Sequence, residues 1–336
     1  MRLTRGFIAG QTRAVKALAI AVVTAMVLSA CAETSRTEAT GKGRVRGING
    51  VVTSPELIFL NEERPQGNVN FRAVSGFTEW DDLSYTFNFD FFPNGATEPD
   101  RIASQSIDVV TDTDYTIVLT GSLANPSLIS WEAEEREWDG TETVFEADFF
   151  HASPLLGEVD VYYAPEGTVP VLGNEIATLN NGDRAPYQEF AEGDYELIIT
   201  APDDPSTVIF QSTALTRLPA ERVTIGLFDT DPSVIAPVGV NIIFDGGAAQ
   251  GLSEVNLPPQ IRLSHASFGV ENINGYFDDD FSTAIFADVA FGDTAPYVDT
   301  SASITPFDVA LVSAPTTSVA ETDVQQINNV RRSLMF

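Results

Sequence analysis

Phe149-Phe150-His151-Ala152-Ser153-Pro154 and its near copy Leu263-Ser264-His265-Ala266-Ser267-Phe268 set the frame for the whole chain. Eight residues after each histidine a strand-like run begins: Val159-Asp160-Val161-Tyr162-Tyr163 after the first and Ile273-Asn274-Gly275-Tyr276-Phe277 after the second. Counted from Asn49, Leu57-Ile58-Phe59-Leu60-Asn61 starts at the same offset. Further on, Gly182-Asp183-Arg184-Ala185-Pro186-Tyr187 returns as Gly292-Asp293-Thr294-Ala295-Pro296-Tyr297, with five of the six residues identical. Self-similarity at a fixed spacing is the mark of a repeat architecture, in which each unit is one domain. The spacing divides the body into a diverged first repeat at 44–140, a second at 141–256 and a third at 257–336.

Each segment is about the size of a single domain and has the aromatic content to fill a core, since the chain carries 22 phenylalanines. Val, Ile, Thr, Phe and Tyr recur in short runs between clusters of Gly, Pro, Asp and Asn, which is the pattern of strands and tight turns. The expected class is all-β, a tandem array of β-sandwiches.

Ahead of the repeats, Arg2, Arg5, Arg13 and Lys16 precede an apolar run from Ala17 to Leu28 that ends in Leu28-Ser29-Ala30-Cys31. A basic start, a short apolar stretch and small residues at its end make a secretory signal over 1–30, too short for a typical spanning helix. Leu-Ser-Ala-Cys resembles the lipobox of bacterial lipoproteins, which implies cleavage before Cys31 and acylation of that residue, palmitate included. Cys31 is the one cysteine of the sequence, so no intrachain disulfide competes for it. Multiple acyl chains hold a protein stably on a membrane, and Ala32, standing where an acidic retention signal would otherwise be, points to the outer membrane. Residues 31–43 read as a small, polar tether. The expected location is the outer membrane, lipid-anchored, facing the periplasm or the cell surface.

The chain has 48 acidic and 18 basic residues, a formal net charge of −30 that loss of the signal deepens by four. A surface of that sign repels nucleic acid and anionic headgroups, so neither is an expected partner. It leaves an envelope protein or glycan, and divalent cations, as the partners to weigh.

The His-Ala-Ser-Pro opening, the Val-Asp-Val-Tyr strand, the Gly-Asp…Tyr turn, the Gly193-Asp194-Tyr195-Glu196-Leu197 hairpin and a closing strand such as Tyr115-Thr116-Ile117 together resemble the bacterial domain of unknown function 4397. The resemblance is closest in the second repeat, partial in the third and faint in the first. It implies immunoglobulin-like β-sandwiches in tandem on a secreted or anchored protein, and it implies no reaction. In the third repeat Val319–Val324 reads as the penultimate strand, and the closing strand is expected to be missing, which would leave an edge for a strand-completing partner.

No residue set in the sequence demands a particular chemistry. His151 and His265 follow the buried parity of their strands, so the expected role of His151, Ser153, Gly182, Asp183, Tyr187, His265, Ser267, Gly292, Asp293 and Tyr297 is to build the repeat rather than to catalyse. Two histidines a domain apart do not make a zinc site, and nucleophile elbows, phosphate loops and dinucleotide fingerprints are missing from the sequence. No cofactor is expected. Asp112, Asp114, Asp229, Asp231, Asp278 and Asp280 fall in predicted turns and are the weak calcium candidates, though none sits in a twelve-residue calcium loop. Trp80, Trp131 and Trp138 suit a sugar-stacking platform if exposed; Trp131 and Trp138 read as part of an acidic connector, 131–138, where they would pack the first repeat on the second. The function expected from all this is non-catalytic: binding, adhesion or envelope structure. The alternative is an enzyme acting on envelope glycans through paired carboxylates.

Overall fold

In the second repeat Phe145, Ala147 and Phe149 alternate with Glu146, Asp148 and Phe150, and the period of two places the first set in the core of one sandwich. The same alternation builds every repeat. The structure, a computed structural model, describes residues 38–61 and 64–336, and the regular elements among them are all strands. Cys31, the signal and most of the tether lie outside the described residues. Residues 41–336 form one compact unit that holds all three repeats.

The first repeat comprises β1 (Lys42–Asn49), β2 (Leu57–Asn61), β3 (Arg64–Val69), β4 (Thr78–Asp81), β5 (Ser84–Phe91), β6 (Asp100–Asp108), β7 (Thr113–Ser122) and β8 (Asn125–Glu134). One sheet runs β4-β1-β7-β8 and the other β3-β2-β5-β6. The second repeat has β9 (Val144–Ala152), β10 (Val159–Pro165), β11 (Ala177–Leu179), β12 (Arg184–Ala191), β13 (Gly193–Ala201), β14 (Asp204–Gln211), β15 (Leu215–Arg217), β16 (Arg222–Phe228), β17 (Gly239–Phe244) and β18 (Ala249–Leu252). Its sheets are β12-β9-β16-β17-β18 and β11-β10-β13-β14, with β15 added on β13. The third has β19 (Gln260–Ser264), β20 (Ile273–Phe277), β21 (Phe286–Val289), β22 (Val298–Asp299), β23 (Ser303–Leu311), β24 (Ser318–Gln326) and β25 (Arg331–Met335), arranged as β22-β19-β25 over β21-β20-β23-β24.

All three repeats therefore share one plan, and the tandem β-sandwich reading holds. Within it the strand order is specific. The opening strand pairs in parallel with the closing one, β1 with β7, β9 with β16 and β19 with β25. That order differs from the ABED-over-CFG arrangement of immunoglobulin constant domains.

Phe59, Phe87 and Phe89 fill the first core, Phe145 and Phe149 the second and Phe307 the third, all essentially solvent-free. Each such side chain contributes about 1.5–3 kcal/mol by leaving water.

Two expectations need correction. The segment around Trp131, read as an acidic connector, is strand β8, paired along its length with β7. The closing strand of the third repeat is present: Arg331–Met335 pairs with β19 from Gln260↔Arg331 to Ser264↔Met335. What the third repeat has no counterpart of, among the described residues, is the strand that follows, β8 in the first repeat and β17 in the second.

Candidate functional site

The repeat motif works as a joint. His151 and His265 are buried, and each ends its strand by tying down the next loop. His151 Nε2 meets Gly157 O at 3.1 Å while Nδ1 accepts from Ser153 N–H at 3.2 Å. His265 repeats this with Glu271 O at 3.0 Å and Ser267 N–H at 3.3 Å. Asn49 takes the same place, its side-chain oxygen accepting from Val51 N–H at 3.0 Å. The Gly-Asp turns lock onto the same strands. Gly182 N–H donates to His151 O and His151 N–H to Asp183 O, and Gly292, His265 and Asp293 do likewise. Gly182 and Gly292 have φ of 98° and 86°, the left-handed region where a side chain is strained. Ser153 Oγ donates to the carboxylate of Asp229.

These bonds hold His151 neutral, and burial pushes its pKa below the ordinary value. The unfolded chain takes up a proton below about pH 6.5 that the folded form resists, so this contribution to stability is lost as pH falls through that range. Burial raises the Asp148 carboxyl, which acts with the opposite sign. The readout is therefore a difference: between pH 7.5 and 5.5 the urea midpoint of the wild type falls relative to that of His151→Asn, which keeps the loop bond that Asn49 makes. Parallel curves would refute the assignment.

The outward faces of the β4-β1-β7-β8 and β12-β9-β16-β17-β18 sheets meet. By register, Arg44, Arg46 and Ile48 on β1 correspond to Glu146, Asp148 and Phe150 on β9, and to Gln260, Arg262 and Ser264 on β19. The first repeat brings cations to these positions and the second brings carboxylates. Asp114 of β7 receives Arg44 at 2.6 and 2.7 Å and Arg222 of the second repeat at 3.0 Å. Arg222 also lies 3.1 Å from Glu146 Oε2, and Arg46 joins Thr116 to Thr224 across the contact at 3.0 and 2.8 Å. Arg184 holds Asp148 at 2.9 Å. Beside this polar network, Ile48, Val118, Phe150, Ala152, Phe228 and Ile243 form an apolar patch on which Trp131 leans, 5.0 Å from Phe150. Burial and the carboxylate of Asp148 push the Tyr187 hydroxyl up, and the Arg222 guanidinium sits 3.9 Å above its ring.

The third repeat carries the same face, with no second sheet packed on it among the described residues. Arg262 lies 4.6 Å over the Tyr297 ring and donates to Ser333 at 2.8 Å, as Arg46 does to Thr116, but among the described residues it makes no bond to a second repeat. Arg331 pairs with Gln260 at 3.1 Å. Among the described residues neither arginine has a carboxylate within 4.0 Å, although the chain is strongly acidic.

The other candidates are dispersed. Asp114 is not in a turn but in the interface just described, and Asp229 is buried beneath Ser153. Asp231 and Asp280 accept from Ser233 and Ser282 N–H, while Asp112 and Asp278 turn the chain at φ of 55° and 56°. No group of three or more His, Cys, Asp or Glu that could hold a metal occurs among the described residues. Trp80 is in the first core, Trp131 packs between repeats, and Trp138 lies under Arg136. No helix among the described residues is long and apolar enough to cross a membrane.

The family comparison picks out the first repeat and the opening of the second. Residues 43–162 match the family described as Domain of unknown function (DUF4397). The DUF4397 match thus covers the diverged first repeat and runs on into the second through β9, with His151 and Ser153, as far as Tyr162 in β10. No curated protein matches. Among solved structures, the Bacillus anthracis TIE protein is similar at 10% identity and a TM-score of 0.18, covering 89% of this chain and 50% of its own, so this chain spans about half its length. The major pilin subunit of Bacillus cereus is similar at 11% identity and a TM-score of 0.16, covering 88% of this chain and 99% of its own. Likenesses this loose say nothing about what the chain binds.

Proposed function

We propose that the protein is a non-catalytic binding or scaffolding component of the cell envelope, held to the outer membrane by lipid on Cys31, with its third repeat as the docking module. One observation carries the reading: the sheet face that the first two repeats bury against each other has no cover in the third among the described residues. There Arg262, Arg331 and Tyr297 stand where the first two repeats place paired charges and rings. Beside them the outer edge of β25 has Arg331 N–H bonded to Ser233 O at 2.7 Å and no strand partner among the described residues. A gap of about 290 Å³ opens there, lined by Leu334, Phe336, Phe307 and Val309, on the side that Val240 and Ile242 of β17 fill in the second repeat. A protein partner that adds a strand to β25 and brings carboxylates to Arg262 and Arg331 fits both features.

The test is made in cells on the full chain, with a photo-crosslinking residue in place of Ser333 and, as control, of the exposed Val169 on the second repeat. The expected result is one discrete adduct from position 333, abolished by Arg262→Glu with Arg331→Glu, and none from 169. No adduct at 333, or one indifferent to charge reversal, refutes the docking face. Lipid anchoring is tested separately: Cys31→Ser should abolish palmitate labelling and release the protein from the membrane fraction, and retained labelling would overturn it.

A further inference from the structure

Each of the first two sandwiches is closed at one end by an aromatic pair. In the first it is Trp80, which faces Gly43 on β1, and Tyr85, with ring centroids 5.0 Å apart. In the second it is Phe190, which faces Phe145 on β9, and Tyr195, at 5.9 Å, with Tyr163 also 5.5 Å from Phe190. The pairing registers identify the same places in the third repeat. Thr300 bonds to Pro259 O one step beyond the Gln260↔Asp299 pair, and so takes the position of Trp80 and Phe190. Thr305 lies two residues before Phe307, which pairs with Phe277 as Leu197 pairs with Tyr163 and Phe87 with Asn61, and so takes the position of Tyr85 and Tyr195. Both plugging rings have become threonines.

Where the plug is missing, an open cavity of about 490 Å³ lies against Phe277, Thr300, Ser303, Thr305 and Gln326. That volume is in the range of small-molecule sites. Its wall offers one aromatic ring, the four hydroxyls of Thr300, Ser301, Ser303 and Thr305, and the amide of Gln326, a residue 6% exposed whose side-chain oxygen has no hydrogen bond. The last torsion of Gln is broad, so that amide can turn to meet a donor. A buried acceptor left unpaired is destabilising, and a bound hydroxyl would satisfy it. Asp278 and Asp299 at the rim add further acceptors and repel anions.

We propose that this cavity binds a neutral sugar unit, its ring against Phe277 and its hydroxyls donating to Gln326 and the rim carboxylates. The inference goes beyond the docking reading and uses none of the residues of the β25 face. It is tested on the mature, lipidated protein in phospholipid nanodiscs by saturation-transfer NMR with glucose, galactose, mannose, N-acetylglucosamine and arabinose, and with glucuronate as the anionic control. The expected result is transfer to at least one neutral sugar, none to glucuronate, and loss of transfer in Thr300→Phe with Thr305→Tyr, which rebuilds the plug of the second repeat. An unchanged or higher melting temperature shows that this variant is folded; should it fail to fold, Gln326→Leu serves in its place and is expected to weaken binding. No transfer to any neutral sugar, or equal transfer in the plugged variant, overturns the proposal. Cleavage of a matching oligosaccharide would leave the sugar site standing and overturn the non-catalytic reading instead.

Discussion

Replacing Asp114 by alanine is expected to lower the stability of the first two repeats by about 3–5 kcal/mol, the cost of removing one member of a buried ion cluster and stranding its partners. Asp114 is 4% exposed and receives guanidiniums from both repeats, Arg44 from its own and Arg222 from the next. Without it two cations face each other in a closed contact. Urea unfolding followed by tryptophan fluorescence reports the loss, because Trp131 packs in the same contact. Lys42→Ala, which removes a solvated ion pair with Glu79, serves as the control and should leave stability close to that of the wild type. If the two variants unfold alike, the cluster does not couple the repeats.

The second large effect is expected at Phe150. Its ring is solvent-free, 5.4 Å from Phe228 and 5.0 Å from Trp131, and belongs to the apolar patch between repeats rather than to either core. Phe150→Ala removes a buried aromatic and leaves a cavity, a change that costs about 3–5 kcal/mol. Gly226 shows how closely the ring is held, since a Cβ there would lie 2.4 Å from Phe150 Cζ. Because the loss falls on the contact, calorimetry should show one shared transition of the first two repeats splitting into two, as expected when domains unfold independently. Leu155→Ala, on a side chain 86% exposed, should leave the trace unchanged. A uniform downward shift without splitting would place Phe150 in the core of the second repeat instead.

The two predictions bear on the parts of the molecule that local sequence shows least. The strand openings were legible because His151, His265 and Asn49 end runs of strict alternation and sit at a fixed distance from the next strand. The Gly-Asp turns were legible because a left-handed backbone calls for glycine wherever it recurs. Strand β8 was not. It is an edge strand with most of its side chains exposed, so Trp131-Glu132-Ala133-Glu134 reads as a linker until its pairing with β7 is known. Strand β25 was missed for a related reason: Arg331-Arg332-Ser333-Leu334-Met335 has little apolar alternation, and its partner β19 lies about seventy residues earlier. The resemblance of the first repeat was faint in the motif residues because Asn49 stands where the other two repeats have histidine.

What the sequence by itself determined was the all-β class, the number of repeats, the buried role of the two histidines and the absence of a ready-made catalytic motif. Those follow from period, spacing and residue inventory, which are local or additive. What only the tertiary structure decided was which charges meet. Arg44 finds Asp114 seventy residues away, and Arg222 reaches it across 108, because two sheet faces with opposite charge happen to be brought together. The same holds for the two threonines that leave the third sandwich unplugged, since nothing about Thr300 or Thr305 is unusual until pairing registers set them where Phe190 and Tyr195 close the second. Contacts of that separation depend on the register of whole sheets, and register is fixed only when the strands have found one another.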